Sequence, residues 1–202
     1  KPGWSRYDFA GALAEGLSVP VAVETDVNAA ALAEAQARDE AGSLAYMTVG
    51  TGIGVGLVID GRCVHGAAHP EMGHYFPRRP ADDVEFAGVC PFHGDCLEGL
   101  ASGPAISARW GATLSDLPPT HPAHDRVAGY LAQACHTLFA STSVETVVLG
   151  GGVLETPNLR ERIAARAREL DAGYLPGGTR HTIVAPRLGS QSGIIGAMIL
   201  AT

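Results

Sequence analysis

Apolar and polar residues along this chain switch between a period near 3.6 and a period near 2, which predicts helices and strands in alternation. Phe9, Leu13 and Leu17 recur at helical spacing and predict a helix over 7–17. The run 19–23 reads as a short buried strand, and a helix is predicted from Asp26 to Ala35. Three strands follow at 44–49, 53–59 and 62–65, the last two joined by the hairpin signal Asp60-Gly61. Residues 66–94 are loop-rich, and 95–110 reads as helix with a break at Gly103-Pro104. Val127, Leu131, Ala134 and Leu138 mark one face of a long helix over 123–141. A strand at 146–149, a helix at 159–170, a strand at 181–185 and a closing helix at 193–200 complete the pattern. Pro118, Pro119 and Pro122 mark a loop between helices, and no repeat or low-complexity linker divides the chain. The prediction is an α/β fold with a mixed sheet.

Composition narrows the partners. With 46% apolar and 17% charged residues, 202 residues can bury the core of one large domain or two small ones. A net charge of -7 weighs against nucleic acid and anionic membrane, because phosphate contacts need clustered Lys and Arg. No apolar run approaches the roughly 18 residues of a membrane span. No signal peptide opens the chain, and it starts at Lys1 without Met, so the expectation is a cytoplasmic protein whose native N-terminus lies elsewhere.

The densest chemistry lies at His74, Cys90, His93 and Cys96. The last three form C-P-F-H-G-D-C, in which two-residue intervals let a tight turn aim all three side chains inward. Two thiolates and two imidazoles are a ligand set that suits zinc in a closed tetrahedral structural site. The alternatives are two buried cysteines beside unrelated histidines, or a Cys90–Cys96 disulfide, which an intracellular chain rarely keeps. Cys63 and Cys135 are expected as buried free thiols. Tying His74 into the cluster would draw Glu71 and Glu98 towards one cavity, where two carboxylates beside an imidazole can bind vicinal hydroxyls. Both could equally be surface charges.

Two glycine-rich segments speak to nucleotide. V49-G50-T51-G52-I53-G54-V55-G56 leads into a strand, so it is a strand-loop-strand element and not a dinucleotide fingerprint. Bare backbone N–H groups and the Thr51 hydroxyl could approach phosphate oxygens there, although an ordinary glycine hairpin reads the same way. V147-V148-L149-G150-G151-G152 opens a backbone at the carboxyl end of a strand, or is a plain strand-to-helix connection. Asp26 starts a helix whose positive end favours a carboxylate, and it is either an N-cap or a catalytic group. Asn28 could orient Asp26 or simply pack.

E71-M72-G73-H74 followed by C-P-F-H-G-D-C-L-E-G-L-A-S-G-P resembles the zinc signature of the ROK family of sugar kinases. The C-x-x-H-x-x-C form, E24-T25-D26-V27-N28 and the opening K1-P2-G3-W4 are similar to that family's bacterial fructokinase branch. The resemblance runs over nearly the whole chain. It implies an actin-like ATPase (ribonuclease H-like) fold, in which 1–40 is a remnant of an N-terminal lobe carrying Asp26. Residues 41–189 would form the C-terminal lobe, and 190–202 a closing helix packing back on the N-terminal lobe. It implies ATP-dependent phosphorylation of a hexose, fructose to fructose 6-phosphate, with magnesium and structural zinc. Asp26 would be the general base, accepting the proton of the attacking hydroxyl. Glu71, His74, Glu98 and Asn28 would meet the sugar. Gly50, Thr51, Gly52 and Gly54 would face phosphate, and Gly150, Gly151 and Gly152 adenosine. His74, Cys90, His93 and Cys96 would hold zinc, His74 serving metal and sugar through its two nitrogens. The expected assembly is a homodimer.

The sequence departs from the family pattern in one respect. The D-x-G-G-T phosphate loop with which the family begins does not occur in these 202 residues. The chain therefore reads as the C-terminal two-thirds of a kinase, expected to be inactive alone. Two other readings are a sugar-responsive ROK transcriptional regulator, with a helix-turn-helix ahead of this region, and an inactive zinc-stabilised sugar-binding fragment.

Overall fold

The segment S-L-A-Y-M-T-V forms β1 (Ser43–Val49), and a strand this apolar is stable only where both faces are covered. The computed structural model describes residues 7–38 and 42–201, and the K1-P2-G3-W4 opening lies outside them. It sets β1 at the centre of a five-stranded sheet with β2 (Ile53–Ile59), β3 (Arg62–Cys63), β4 (Thr146–Gly150) and β5 (Thr182–Val184), in the order β3-β2-β1-β4-β5. β1 and β2 are antiparallel, with Val49 opposite Ile53, whereas β1, β4 and β5 run parallel. The sheet is mixed, as the pattern predicts.

Alternation along β1 divides the core in two. Leu44 and Tyr46 pack with α2 (Asp26–Gln36) and α7 (Ser192–Leu200), while Ala45, Met47 and Val49 face the other layer. That layer holds α3 (Leu97–Ala101), α4 (Gly103–Trp110), α5 (Ala123–Thr142) and α6 (Leu159–Asp171), through Leu100, Ile106, Leu131 and Ile163. The first layer packs unusually close because α2 is alanine-rich. A Cβ on Gly196 would collide with the Ala29 carbonyl, and one on Gly56 with the Val27 carbonyl. Helix α2 is thus gripped by a glycine on each side. Among the described residues no helix is long and apolar enough to cross a membrane.

Three local expectations are corrected. Residues 19–23 follow α1 (Phe9–Leu17) without regular structure and make no strand, and Val19 and Val23 are 50% and 66% exposed. No described strand lies beside them, and Pro20 lacks a donor for one. The helical break falls at Ser102, whose Oγ accepts from the Ala105 N–H and caps α4, so Pro104 sits in the first turn of a new helix. Cys63 is only half-buried, unlike Cys135, whose thiol burial pushes up to about 12.

Glu34 fixes α7 against α2. Its carboxylate is fully buried and accepts from the N–H groups of Arg187 (2.8 Å) and Leu188 (3.0 Å) and from the Ser192 hydroxyl (2.7 Å), and it pairs with Arg38. Burial pushes Glu34 upward, but these donors outweigh it and hold the carboxyl below its ordinary value. A lowered folded pKa means that the stabilisation is complete above the unfolded value and is lost as pH falls through the folded one. Glu34→Ala is expected to cost about 3–5 kcal/mol in chemical denaturation at neutral pH and to flatten the acid side of the stability profile. A loss below about 1 kcal/mol would show that the buried carboxylate does not anchor α7.

Candidate functional site

The start of α2 separates capping from chemistry. Thr25 is the N-cap, its Oγ1 accepting from the Asn28 N–H at 3.1 Å. Asp26 occupies the first helical position and is exposed, with Oδ1 accepting from the Val27 N–H at 2.9 Å. The cap is therefore filled by its neighbour, and the Asp26 carboxylate stands at the positive end of the helix with no hydrogen bond to its second oxygen among the described residues. Asn28 is fully buried, donating through Nδ2 to Glu24 Oε1 (2.9 Å) and accepting at Oδ1 from the Leu57 N–H (3.3 Å). Its amide is spent inside the protein, which makes it a brace between α2 and β2.

The first glycine segment divides by function. Gly50, Thr51 and Gly52 form the loop between β1 and β2, closed by a Gly50 N–H to Gly52 carbonyl bond of 2.9 Å. Gly54 lies inside β2, where a Cβ would crowd Val27, so its bareness serves the approach of α2 together with Gly56. The Gly103 N–H at the start of α4 donates to the Gly50 carbonyl at 2.8 Å and holds the loop open. Gly151 has φ 93° and its backbone lies against Val49, a position only glycine fills without strain. Gly50, Thr51, Gly103, Gly152, Val153 and Thr156 line one cleft of about 430 Å³. Residues from both glycine segments thus meet there, at the carboxyl ends of β1 and β4 and the N-terminus of α4, a setting that favours anions.

The donor atoms of His74, Cys90, His93 and Cys96 all lie within 4.8 Å of one another. His74 Nδ1 is 3.5 Å from Cys96 Sγ and 3.7 Å from Cys90 Sγ, and His93 Nδ1 is 3.7 Å from Cys90 Sγ. A tetrahedral ion with bonds of about 2.0–2.3 Å needs donors roughly 3.3–3.8 Å apart, which these three pairs match. The Cys90 and Gly94 backbones bond reciprocally and turn the knuckle, and the Leu97 N–H donates to the Tyr75 carbonyl at 2.9 Å, bringing His74 alongside. Burial opposes ionising either thiol, yet the Phe92 and His93 N–H groups bring Cys90 below its ordinary value while Cys96 stays above. A carboxylate unforeseen in the sequence ties the module down. Asp83, with its side chain fully buried, pairs with Arg109 of α4 and receives the Tyr130 hydroxyl of α5.

The two glutamates part company. Glu98 Oε2 accepts from the Ile53 N–H at 2.9 Å, so α3 reaches directly to the end of the Gly50–Thr51–Gly52 loop. Glu71 is 64% exposed and meets His69 Nε2 at 2.8 Å. The Glu24 side chain, 10% exposed, meets His65 Nε2 at 2.6 Å. Nothing in the spacing of the sequence marked His65, His69 or Glu24 for these pairings.

A family model described as the ROK family matches residues 1–202. The fructokinase of Zymomonas mobilis is 44% identical over 206 residues, an alignment covering 100% of this chain and 68% of that protein. The fructokinase of Pediococcus pentosaceus is 39% identical over 210 residues, covering 100% of this chain and 70% of that protein. Among solved structures, the ROK hexokinase from Thermus thermophilus superposes with a TM-score of 0.77 at 30% identity, covering 95% of this chain and 68% of that chain.

Proposed function

The chain belongs to the ROK family, and we propose that it carries the base, phosphate loop and sugar-binding module of a kinase that phosphorylates fructose with ATP. The observation that carries this reading is the spare Asp26 carboxylate at the head of α2, whose capping role Thr25 has already filled. Identity of 44% to a fructokinase across the whole chain supplies the substrate class. A regulator that only senses sugar would need neither that carboxylate nor the shared glycine cleft.

In this reading Asp26 accepts the proton of the attacking hydroxyl as its oxygen bonds to the γ-phosphorus, and ADP departs with the bridging oxygen. An ordinary carboxylate suffices, because the hydroxyl becomes acidic only as that bond forms. Gly50, Thr51 and Gly52 cradle phosphate oxygens, and the Gly150-Gly151-Gly152 turn faces the adenosine, with Gly152 lining the cleft. Magnesium arriving with ATP supplies charge neutralisation. Glu71, His74 and Glu98 hold sugar hydroxyls, Glu98 through Oε1 while Oε2 keeps the Ile53 N–H. His74, Cys90, His93 and Cys96 are the residues that would hold zinc, which supplies a structural cross-link and takes no part in the reaction. The head of α2 brings the base and the cleft beyond β1 and β4 takes the nucleotide, with α2 and α7 packed together on the sheet that carries that cleft, in a cytoplasmic homodimer.

A coupled assay of the full-length protein across hexoses tests the substrate. Fructose is expected to give a kcat/KM at least about tenfold above glucose and mannose, the scale that one or two well-placed hydroxyl contacts provide. A clear preference for an N-acetylated amino sugar would overturn the assignment.

A further inference from the structure

The hairpin β2–β3 delivers a histidine to the segment that precedes Asp26. The Val64 N–H donates to the Leu57 carbonyl at 2.8 Å, the last backbone bond of that hairpin, and His65 follows at once. Its Nε2 lies 2.6 Å from Glu24 Oε2. The other oxygen of Glu24 accepts from the Thr25 N–H at 2.8 Å and from Asn28 Nδ2 at 2.9 Å. Asn28 in turn takes the Leu57 N–H. The chain of bonds therefore leaves β2, crosses His65, Glu24 and Asn28, and returns to β2, enclosing the peptide that carries Thr25 and Asp26.

Each link bears on the carboxylate at the head of α2. Thr25 supplies the cap, and its own N–H is held by Glu24, so rotation of Glu24 would release both the cap residue and the first turn. Burial pushes Glu24 upward, but its contacts with Thr25, Asn28 and His65 prevail and keep it below the usual carboxylate range. The His65 side chain is half exposed, and a polar contact so placed adds little to global stability. Its effect is on orientation.

We propose that His65 is a positioning residue for phosphoryl transfer: by holding Glu24 it fixes the first turn of α2 and the direction of the Asp26 carboxylate. The proposal rests on Asp26 being the base. A displacement of about 1 Å at such a group costs up to roughly a hundredfold in rate.

The test uses the full-length protein with His65→Ala, His65→Gln, Glu24→Gln and Asp26→Asn, measuring kcat, both KM values and melting temperature. His65→Ala and Glu24→Gln are expected to lower kcat roughly ten- to a hundredfold, with both KM values within about threefold and melting within a few degrees. His65→Gln, whose amide can still donate to Glu24, is expected to recover most of the rate. A His65→Ala protein with wild-type kcat overturns the proposal, and if Asp26→Asn is dead in the same experiment the base assignment survives. An active Asp26→Asn protein removes the base and the positioning role together. A rise above tenfold in sugar KM at unchanged kcat makes His65 a substrate contact, and a rate loss that tracks lowered melting makes it structural; either outcome overturns the proposal.

Discussion

Asp26→Asn in the full-length protein should lower kcat by at least about 10²–10⁴ while sugar affinity moves by only a few fold. The asymmetry follows from what the substitution leaves in place. Thr25 Oγ1 still caps the helix through the Asn28 N–H, so the first turn of α2 keeps its shape. The side-chain oxygen of asparagine can still accept from the Val27 N–H, as Asp26 Oδ1 does now. What disappears is the negative charge at the helix start and the ability to take a proton from an attacking hydroxyl. On the proposed assignment the sugar would keep Glu71, His74 and Glu98 as partners, so binding would lose one contact of several. Isothermal titration with sugar alone, beside steady-state turnover, separates the two quantities. If the variant keeps more than a tenth of wild-type kcat, Asp26 is an ornament of the helix start and the base lies elsewhere.

How far the sequence led depended on whether a signal was local. The strands β1, β2 and β4 were legible because burial on both faces leaves nearly continuous apolar runs, and the clustering of donors because Cys90, His93 and Cys96 lie within one turn of chain. The run 19–23 was equally apolar and misled, since an apolar segment becomes a strand only when another strand accepts its hydrogen bonds. The glycine run at 50–56 was ambiguous for a physical reason. A phosphate and a helix backbone both require the absence of a Cβ, and here Gly50 and Gly52 serve a loop while Gly54 and Gly56 make room for Val27. Asp26 as cap or base could not be decided from its position, because Thr25 one residue earlier was an equally good cap. The pairs His65–Glu24 and Asp83–Arg109 join residues far apart in the chain, and no periodicity or spacing announces them.

If the Cys–His cluster holds zinc as proposed, Cys96→Ser should abolish metal binding and loosen the module that carries Glu71, His74 and Glu98, with the sheet left standing. One zinc per chain is expected in the wild type, since four donors lie within 4.8 Å of one another and three of their pairs are 3.5–3.7 Å apart before any ion is considered. Structural zinc binds small modules with on the order of 10 kcal/mol of free energy, all of it linked to folding. Leu97 and Leu100 of α3 share a core with Met47, Leu131 and Leu149, so some stability is lost globally, but β1 and β4 keep their sheet hydrogen bonds and the consequence is expected to be greatest near the knuckle. Cys96 is fully buried and immediately precedes α3, which carries Glu98. Freed from the metal, α3 would move Glu98 away from the Ile53 N–H, and His74 would lose its tether beside it. Hydrogen exchange should therefore quicken over 71–100 and at Ile53, but not along β1 or β4. Sugar KM should rise by more than about tenfold, the scale of losing one or two charged hydrogen bonds. Metal analysis and melting provide the decisive readout: full zinc stoichiometry with unchanged melting in Cys96→Ser would exclude the cluster as a zinc site.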